Sequence, residues 1–480
     1  MFESMFAGVA DDALVGTIED LRRQEAVIAA RRLAAIAELV HRTVDEDDER
    51  GRWAFDPWDG TAARVGAALN IGHRRASGQM HQAVALRDRL PAVAELFRRG
   101  DIDARLVSQL TWRTNLIDSD ELIAVVDTQL AAAAARFGPL SQTKLQTAID
   151  AVIAAHDPDA VRRSRDRLRT RELNIGACDD ADEVTAIWGR LSATDAAVLD
   201  RKVTAMTRQV CDADPRSSGE RRADALGALA NDNDRLVCRC GDPHCPSAGE
   251  QPSSNVVIRV IADRAAVDDA RAVIAAEKDA PAVRRRGTAL LAGKGALPAV
   301  ALAEAIRGGA TIAPLAPPGT EAEPGYRPST RLAEFIRARD LFCRFPGCDV
   351  PAERCDIDHV TPWPAGPTHP SNLHCKCRTH HLMKTFYGGP GGWRDVQCPD
   401  GTVIWTAPDG RSYMTRPGSR LYFPAWDITS ADLPRPSANA PPGPGRTAMM
   451  PRRQRTRAAE AAARVRAERE LNRGQHPFSE

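Results

Sequence analysis

The stretch CRFPGCDVPAERCDIDHVTPWPAGPTHPSNLHCKCRTHHLMKT occupies residues 343–385 and decides how the chain is organised, because it combines four short patterns. In order, these are a C-x4-C pair (Cys343 and Cys348), an acidic residue followed by histidine (Asp358 and His359), an Asn-Leu pair after a Pro/Gly loop (Asn372 and Leu373), and a C-x2-H-H-x2-K run (Cys377, His380, His381 and Lys384). Cysteine, histidine and aspartate are the common metal-binding side chains. The stretch therefore predicts a small module that depends on metal.

His359, Asn372 and His381, taken in order, form an H-N-H pattern. The stretch resembles the HNH nucleases of the ββα-metal fold, in the variety that carries a zinc knuckle. Cutting a phosphodiester requires a nucleophile, neutralisation of the phosphate charge and help for the leaving oxygen. One divalent metal can supply the last two, and a neutral imidazole can take a proton from water near pH 7. The resemblance thus implies a metal-dependent nuclease module.

The resemblance also implies roles for individual residues. His359 is expected to act as the general base, and Asp358 and His381 as ligands of the catalytic metal. Asn372 is expected to hold the loop that orients the base. Asp356 and Lys384 are expected to support these groups from behind. A plain turn acid is the alternative for Asp356. A site of carboxylate and water suits Mg²⁺ or Mn²⁺, and an imidazole ligand also admits Ni²⁺ or Zn²⁺.

A structural zinc ion is expected beside this site. Structural zinc favours four sulfur or nitrogen ligands, usually supplied as two close pairs. Two such pairs are present, Cys343 with Cys348 and Cys377 with His380. Cys375 competes with Cys377 for the third position. We prefer Cys377, because the run C-R-T-H-H-L-M-K matches the resembled family and leaves His381 free for the catalytic metal.

Composition limits the partners of the whole chain. The 480 residues carry a net charge of +1, with 27% charged and 43% hydrophobic residues, so any affinity for nucleic acid must come from local basic patches. The eleven cysteines fall in closely spaced groups, and the composition of the first residues predicts no signal peptide. We therefore expect thiols and metal sites in a reducing cytoplasm. No apolar run is long enough to predict a membrane span.

Apolar periodicity predicts a helical N-terminal part. A long helix is expected at 11–45, and further helices at 90–100, 103–114, 120–137 and 141–155. Within 59–112, the segment Gly72-His73-Arg74-Arg75 suggests a helix-turn-helix, with an ordinary helical hairpin as the alternative. Three strands, at 170–177, 183–191 and 256–263, predict one small sheet carried on these helices.

A second cysteine group lies between those strands. The segment CRCGDPHC contains three cysteines and one histidine, Cys238, Cys240, His244 and Cys245. They predict either a second zinc site or a thiol-bearing loop. The spacing is tight, because adjacent residues do not easily bind the same ion.

The remaining segments define the domain organisation. Residues 312–329 are rich in Pro and Gly and predict a linker, 330–340 a short basic helix that touches phosphate or solvent, and 393–415 a meander with turns at Asp400-Gly401 and Asp409-Gly410. The expected domains are a helical domain with a small sheet at 1–311, the linker at 312–329, the nuclease module at 330–415, and a Pro-rich and basic tail, largely disordered, at 416–480. The Arg-rich end either binds DNA or is solvated.

The whole chain resembles the 13E12-repeat proteins, which have a helical N-terminal domain of unknown function and a C-terminal HNH domain. The matching stretches are LNIGHRRAS, RRADALGALA, CRFPGC, CDIDHVTPWPAGPTHPSNL and CRTHHLMKT. The implied fold class is a mainly α domain with a small β-sheet plus an α+β HNH module, and the implied function is metal-dependent DNA endonuclease. The alternatives are a non-catalytic DNA-binding or mobile-element accessory protein with a structural zinc module and, more distantly, an RNA nuclease.

Overall fold

The chain is predominantly helical, with four small antiparallel sheets in the part that the structure describes. The structure is a computed structural model. The described residues are 5–45, 47–134, 136–137, 140–161, 172–176, 187–249, 259–275, 287–291, 295–307, 310–431 and 449–473. None of the helices described there is both long and apolar enough to cross a membrane.

Seven helices form the N-terminal bundle, α1 (Asp11–Thr43), α2 (Pro57–Leu69), α3 (His73–Asp88), α4 (Pro91–Arg99), α5 (Ala104–Arg113), α6 (Asp120–Ala134) and α7 (Gln142–His156). The long helix predicted at 11–45 is confirmed. Its second half packs on the bundle through Ala26, Ala30, Leu33, Ile36, Ala37 and Val40. Residues at this spacing share one face of a helix, so that face is buried.

The α2–α3 pair is packed as a helical hairpin. The N-terminus of α2 carries a capping box in which Asp56 and Asp59 bond reciprocally to backbone N–H groups. The turn between the helices lies against Gly347, where a Cβ atom would stand 2.7 Å from the carbonyl oxygen of Ile71. A helix-turn-helix reads bases with the first residues of its second helix. The close packing at this turn favours the ordinary hairpin.

The middle of the chain contains two small lobes and an isolated hairpin. Its elements are β1 (Glu172–Ile175), β2 (Ile187–Arg190), α8 (Ala193–Thr207), α9 (Ser218–Ala230), β3 (Val260–Ala262), α10 (Arg264–Ala275), β4 (Ala289–Leu291), β5 (Gly295–Ala296) and α11 (Ala299–Arg307). The predicted single sheet is wrong, because β3 pairs with β4 and not with the β1–β2 hairpin. The partner strand β4 has only three residues, too few for alternation to reveal it.

The C-terminal module, defined as residues 330–431, contains a hairpin, a helix and a meander. Its elements are α12 (Thr330–Asp340), β6 (Cys355–His359), β7 (Leu373–Cys377), α13 (Arg378–Phe386), β8 (Arg394–Gln397), β9 (Val403–Thr406), β10 (Ser412–Thr415) and α14 (Ser419–Tyr422). β6 and β7 are antiparallel, and α13 follows β7 without a loop. The predicted meander is confirmed, in the order β10-β9-β8.

The core of this module continues into the N-terminal bundle. Phe55 and Ala63 are buried in the same cluster as Trp393 and Trp405. The segment predicted as a linker also makes contacts, because the Glu323 amide donates to the Thr368 carbonyl over 2.9 Å. The segment around the start of α2 therefore contributes to the core of the module, while the rest of the bundle has a separate apolar core.

The prediction of a largely disordered tail after residue 415 is wrong for the described residues. Ile428 is buried in the module core, and helix α15 (Arg457–Arg473) lies on the N-terminal bundle. Arg469 donates to Asp157 over 2.7 Å, and Arg453 donates to Asp56 over 2.8 Å. These arginines pair with bundle carboxylates and attach the segment to the bundle, while most of its other side chains remain exposed. The Pro-rich residues 432–448 lie outside the described residues.

Candidate metal centres

The four predicted knuckle ligands come together in the structure. Cys343, Cys348, Cys377 and His380 each offer one atom, and these atoms all lie within 4.8 Å of one another. His380 Nδ1 stands 3.4 Å from the Cys343 sulfur and 3.2 Å from the Cys377 sulfur. The Phe345 ring stacks on the His380 ring, with centroids 4.0 Å apart, and holds it in this orientation. This group could bind a metal such as zinc.

The competing cysteine is held elsewhere. Cys375 is fully buried, and burial raises the pKa of its thiol well above the usual value. Its backbone N–H donates to Asp340 Oδ2 over 2.8 Å. Alternation along β7 places Cys375 and Cys377 on the same face, but only Cys377 ends the strand next to His380. The preference for Cys377 therefore agrees with the geometry.

A buried ion cluster joins α12 to the knuckle. Asp340 accepts from Arg339 over 2.8 Å and from Arg344 over 3.0 Å, and all three side chains are buried. Arg339 also donates to the carbonyl oxygens of Pro370 and Leu373. The possibility that helix 330–340 touches phosphate is wrong for Arg339, because its guanidinium lies inside the protein and binds β7.

The β6–β7 hairpin and helix α13 together form the hairpin–helix unit. A second group of polar side chains lies on the other side of this unit. Asp356 and Asp358 share one face of β6, since successive strand residues point to opposite faces. His381 of α13 meets both: Nδ1 is 2.8 Å from Asp356 Oδ2, and Nε2 is 3.6 Å from Asp358 Oδ1. A carboxylate only accepts hydrogen bonds, so Nδ1–H donates to Asp356, and in the neutral ring the lone pair is on Nε2.

Two lysines neutralise this face. Lys376 of β7 and Lys384 of α13 lie 2.9 and 3.2 Å from Asp358 Oδ2, and both also approach Asp395 of β8. Burial alone would raise the pKa of Asp358, but the lysines hold it well below its usual range. Burial lowers the pKa of Lys384 to about 8. Lys384 also donates to the carbonyl oxygens of His359 and Val360, which fixes the end of β6.

His359 ends β6 and is almost completely covered. Its exposed fraction is 4%, and the Tyr326 ring stacks on it with centroids 5.3 Å apart. His359 Nε2 lies 2.9 Å from the hydroxyl of Thr368, and that hydroxyl donates to the Gly325 carbonyl over 2.6 Å. A hydroxyl has one proton to donate, so it accepts from Nε2–H and leaves the lone pair on Nδ1. Burial lowers the pKa of His359.

Asn372 holds the two ends of the loop after His359. Its side-chain oxygen accepts from the Thr361 amide over 2.8 Å, and its nitrogen donates to the carbonyl oxygens of Thr361 and Pro367. Its backbone carbonyl accepts from the Val360 amide over 2.8 Å. A Cβ atom on Gly366 would collide with the Thr361 carbonyl oxygen and the Asn372 amide. The close turn around Asn372 therefore needs glycine at this position.

The side chains beside α13 include one carboxylate and one imidazole that could hold a hard divalent cation. Asp358 Oδ1 and His381 Nε2 are near enough to share one ion, and water can fill the other positions, as Mg²⁺ and Mn²⁺ accept. Asp356 bonds the ring from its far side, as a carboxylate does behind a metal-binding histidine. Asp358 and His381 would be the protein ligands, and neither is fully buried.

The second cysteine group differs from its prediction by one member. The atoms that come together are the sulfurs of Cys211, Cys238, Cys240 and Cys245, all within 4.8 Å of one another. The inclusion of His244 is wrong, because His244 is exposed and Cys211, just after α8, takes the fourth position. This group could also bind a metal such as zinc.

Several residues of these centres were not found from sequence. They are Cys211, Tyr326, Thr368, Lys376 and Asp395. Each reaches its partner from a distant part of the chain: Thr368 meets Gly325 across 43 positions, and Cys211 meets Cys238 across 27. No short-range pattern marks such pairs.

Comparison with known proteins places the chain in a family. The profile described as "Domain of unknown function (DUF222)" matches residues 20–340. Uncharacterized protein Rv2100 of Mycobacterium tuberculosis (strain ATCC 25618 / H37Rv) is 53% identical over 488 residues, covering 96% of this chain and 88% of the relative. Uncharacterized protein Rv3776 of the same strain is 52% identical over 474 residues, covering 96% of this chain and 90% of the relative. No solved structure matches the chain. Because the profile covers more than half of its length, the chain belongs to the DUF222 family.

Proposed function

We propose that the protein is a metal-dependent DNA endonuclease that hydrolyses phosphodiester bonds at an HNH-type site in the C-terminal module. The observation that carries the proposal is the convergence of Asp358 Oδ1 and His381 Nε2, 3.6 Å apart, with Asp356 holding the far side of the His381 ring. A half-buried carboxylate and the neutral imidazole beside it would form an open site for a divalent cation.

In this mechanism each side chain has a separate task. A bound divalent metal supplies Lewis acidity and neutralises charge at the scissile phosphate. His359 Nδ1 takes a proton from the attacking water, because Nε2–H is committed to the Thr368 hydroxyl. Burial favours the neutral imidazole, which is the form that acts as a base. Asn372 holds the loop that follows His359, and Asp356 orients His381.

The same proposal assigns zinc to the knuckle of Cys343, Cys348, Cys377 and His380. Three sulfurs and one ring nitrogen are a donor set that zinc favours. The ion would join the loop before β6 to the start of α13. It would therefore stabilise the hairpin–helix unit that carries His359 and His381, without taking part in the reaction.

The covered position of His359 favours a second candidate, a DNA-binding or accessory protein whose metal module is only structural. The Tyr326 ring lies on the imidazole, and Lys376 and Lys384 already neutralise Asp358. A catalytic site requires Tyr326 to move aside and the cation to compete with these two ammonium groups. Tyr326 is 57% exposed, which leaves it room to move.

A plasmid assay separates the two candidates. Supercoiled DNA is incubated with wild type, His359→Ala or His369→Ala in Mg²⁺ or Mn²⁺, and the zinc content and thermal unfolding of each protein are measured in parallel. His369 is the matched control, a buried histidine in the loop between β6 and β7 whose Nδ1 lies 2.8 Å from the Ser371 hydroxyl. Wild type and His369→Ala are expected to cut, and His359→Ala to be slower by ~10²–10⁴-fold.

The assay also has outcomes that reject the proposal. Equal cutting by His359→Ala excludes this base. If none of the three proteins cuts DNA while zinc content and folding are normal, the DNA-binding candidate is favoured instead. Titration with labelled duplex DNA then tests that candidate directly. If the protein cuts RNA but not DNA, the proposed catalytic site is retained and its substrate is RNA instead of DNA.

A further inference from the structure

We propose that Cys211, Cys238, Cys240 and Cys245 bind a structural zinc ion in the α8–α9 lobe, defined as residues 193–249. This site lies outside the C-terminal module. This proposal does not depend on the proposed nuclease activity or on the zinc ion assigned to the knuckle.

The distances suit tetrahedral coordination by sulfur. Sulfur ligands at 2.3 Å from a tetrahedral zinc are about 3.8 Å from one another. The Cys211 and Cys238 sulfurs stand 3.5 Å apart, and all four ligand atoms lie within 4.8 Å. A disulfide would require about 2.05 Å, so the group is four thiols around one position and not two cystines.

Hydrogen bonds outside the cluster hold its two halves in register. Asp214, just after Cys211, accepts from the Arg239 amide over 2.9 Å. Arg216 bonds Asp214 over 2.7 Å and donates to the Val237 carbonyl over 2.7 Å. Arg216 and Asp214 are both buried. This network binds the segment of Cys211 to the segment of Cys238, so the sulfurs are brought together by interactions that need no metal.

The loop that carries the other two ligands is also fixed. The Cys238 amide donates to the Ser247 carbonyl over 2.8 Å, and the Ser247 hydroxyl donates to the Gln209 carbonyl. The Cys245 amide donates to the Asp242 carbonyl over 3.1 Å and closes a turn that directs the Cys245 side chain inward, where it is buried. The neighbouring His244 is exposed.

The lobe has a small apolar core, which gives a metal a stabilising role. Its buried residues are Val203, Met206, Val210, Ala225, Ala228, Leu236, Cys238 and Cys245. Two of these eight are the proposed ligands, and two are alanines, so little apolar area remains to hold α8, α9 and the loop together. Small units of this kind are commonly stabilised by a structural metal.

Metal content per chain tests the site. Full-length protein is purified under reducing conditions, dialysed, and analysed for zinc by mass spectrometry. With both cysteine clusters loaded, wild type is expected to hold two zinc ions. Cys211→Ser/Cys240→Ser should hold one, Cys377→Ser one, and the triple variant none. His244→Ala and Cys398→Ser are the matched controls and should each hold two; Cys398 is a free thiol outside both clusters.

A second measurement needs no variant of the lobe. X-ray absorption at the zinc edge of wild type counts sulfur ligands. Two loaded sites should give an average midway between three and four sulfurs, and the knuckle alone should give three. A single zinc with three sulfurs, zinc loss in His244→Ala, or a Cys211–Cys238 disulfide in the reduced protein would each overturn the proposal. Failure of the nuclease assay would leave these results unchanged.

Discussion

Asp356 and His381 are joined across the hairpin–helix unit by a hydrogen bond of 2.8 Å from His381 Nδ1 to Asp356 Oδ2. β6 and α13 therefore hold the ring from one side and present its Nε2 lone pair on the other, 3.6 Å from Asp358. Both partners remain partly exposed, so solvent and a hydrated cation can reach this edge. In the proposed nuclease site, this contact would make Asp356 a positioning residue, and its effect can be measured separately from cutting.

Substitution Asp356→Asn should weaken binding of Mn²⁺ by ~10–100-fold, because the ring loses the carboxylate that sets its tautomer and orientation. Calorimetric titration of zinc-loaded protein with Mn²⁺ measures this change. Glu353→Gln, an exposed acid just before β6, is the control and should bind Mn²⁺ as wild type does. Equal affinity in Asp356→Asn and wild type would remove Asp356 from the site.

Substitution Tyr326→Ala should uncover His359 and raise its rate of modification by diethyl pyrocarbonate several-fold. Stacking by Tyr326 now leaves the imidazole 4% exposed. Peptide mapping by mass spectrometry follows the label at His359. His369 is also buried but has no stacking contact with Tyr326, so its labelling should not change. Unchanged labelling of His359 would show that other groups cover it.

Substitution Asp340→Asn should lower the free energy of unfolding by ~3–5 kcal/mol, because it leaves Arg339 and Arg344 buried without a counter-charge. Denaturant unfolding at constant zinc measures the change. Asp349→Asn, an exposed acid in the knuckle loop, should alter stability by less than about 0.5 kcal/mol. Equal effects from the two variants would mean that the buried ion cluster does not stabilise the module.

The docking of α15 predicts different effects for two arginines of one helix. Arg469→Ala leaves Asp157 buried without its partner and should destabilise the protein by about 3 kcal/mol. Arg473→Ala removes an exposed pair with Asp159 and should change stability by less than ~1 kcal/mol. Thermal unfolding compares the variants. A free helix in solution would make both substitutions neutral.

His374 predicts a pH dependence of stability. Burial lowers its pKa to about 4, below the value near 6.5 of an unfolded chain. As the pH falls from 6.5 to 4, His374 becomes protonated in the unfolded state but stays neutral in the folded state. The folded state therefore loses stability relative to the unfolded state. Over this window wild type should lose up to about 3 kcal/mol more than His374→Asn, measured by urea unfolding at each pH. Parallel curves for the two proteins would show that His374 is protonated equally in both states.

Short-range patterns in the sequence were enough to find much of this molecule. The periodicity of 11–45 specifies α1, and the Asp-Gly pairs at 400–401 and 409–410 mark the meander turns, because the geometry of helices and tight turns is local. The spacings C-x4-C and C-x2-H similarly identify the four knuckle residues, since each pair is close in the chain before it is close in space.

Other features depended on contacts between distant segments. Cys211 replaces His244 because Asp214 and Arg216 fix its segment beside Val237 and Arg239. Within the described part of the tail, residues 449–473 are held on the bundle because Arg453 and Arg469 meet Asp56 and Asp157, several hundred positions earlier. The sequence shows the same residue whether a charged group or a thiol is solvated or paired. Only the tertiary packing determines which partner it contacts and whether water reaches it. Composition predicted a largely disordered tail with an Arg-rich end that either binds DNA or is solvated, whereas the tertiary structure pairs Arg453 and Arg469 with carboxylates of the N-terminal bundle.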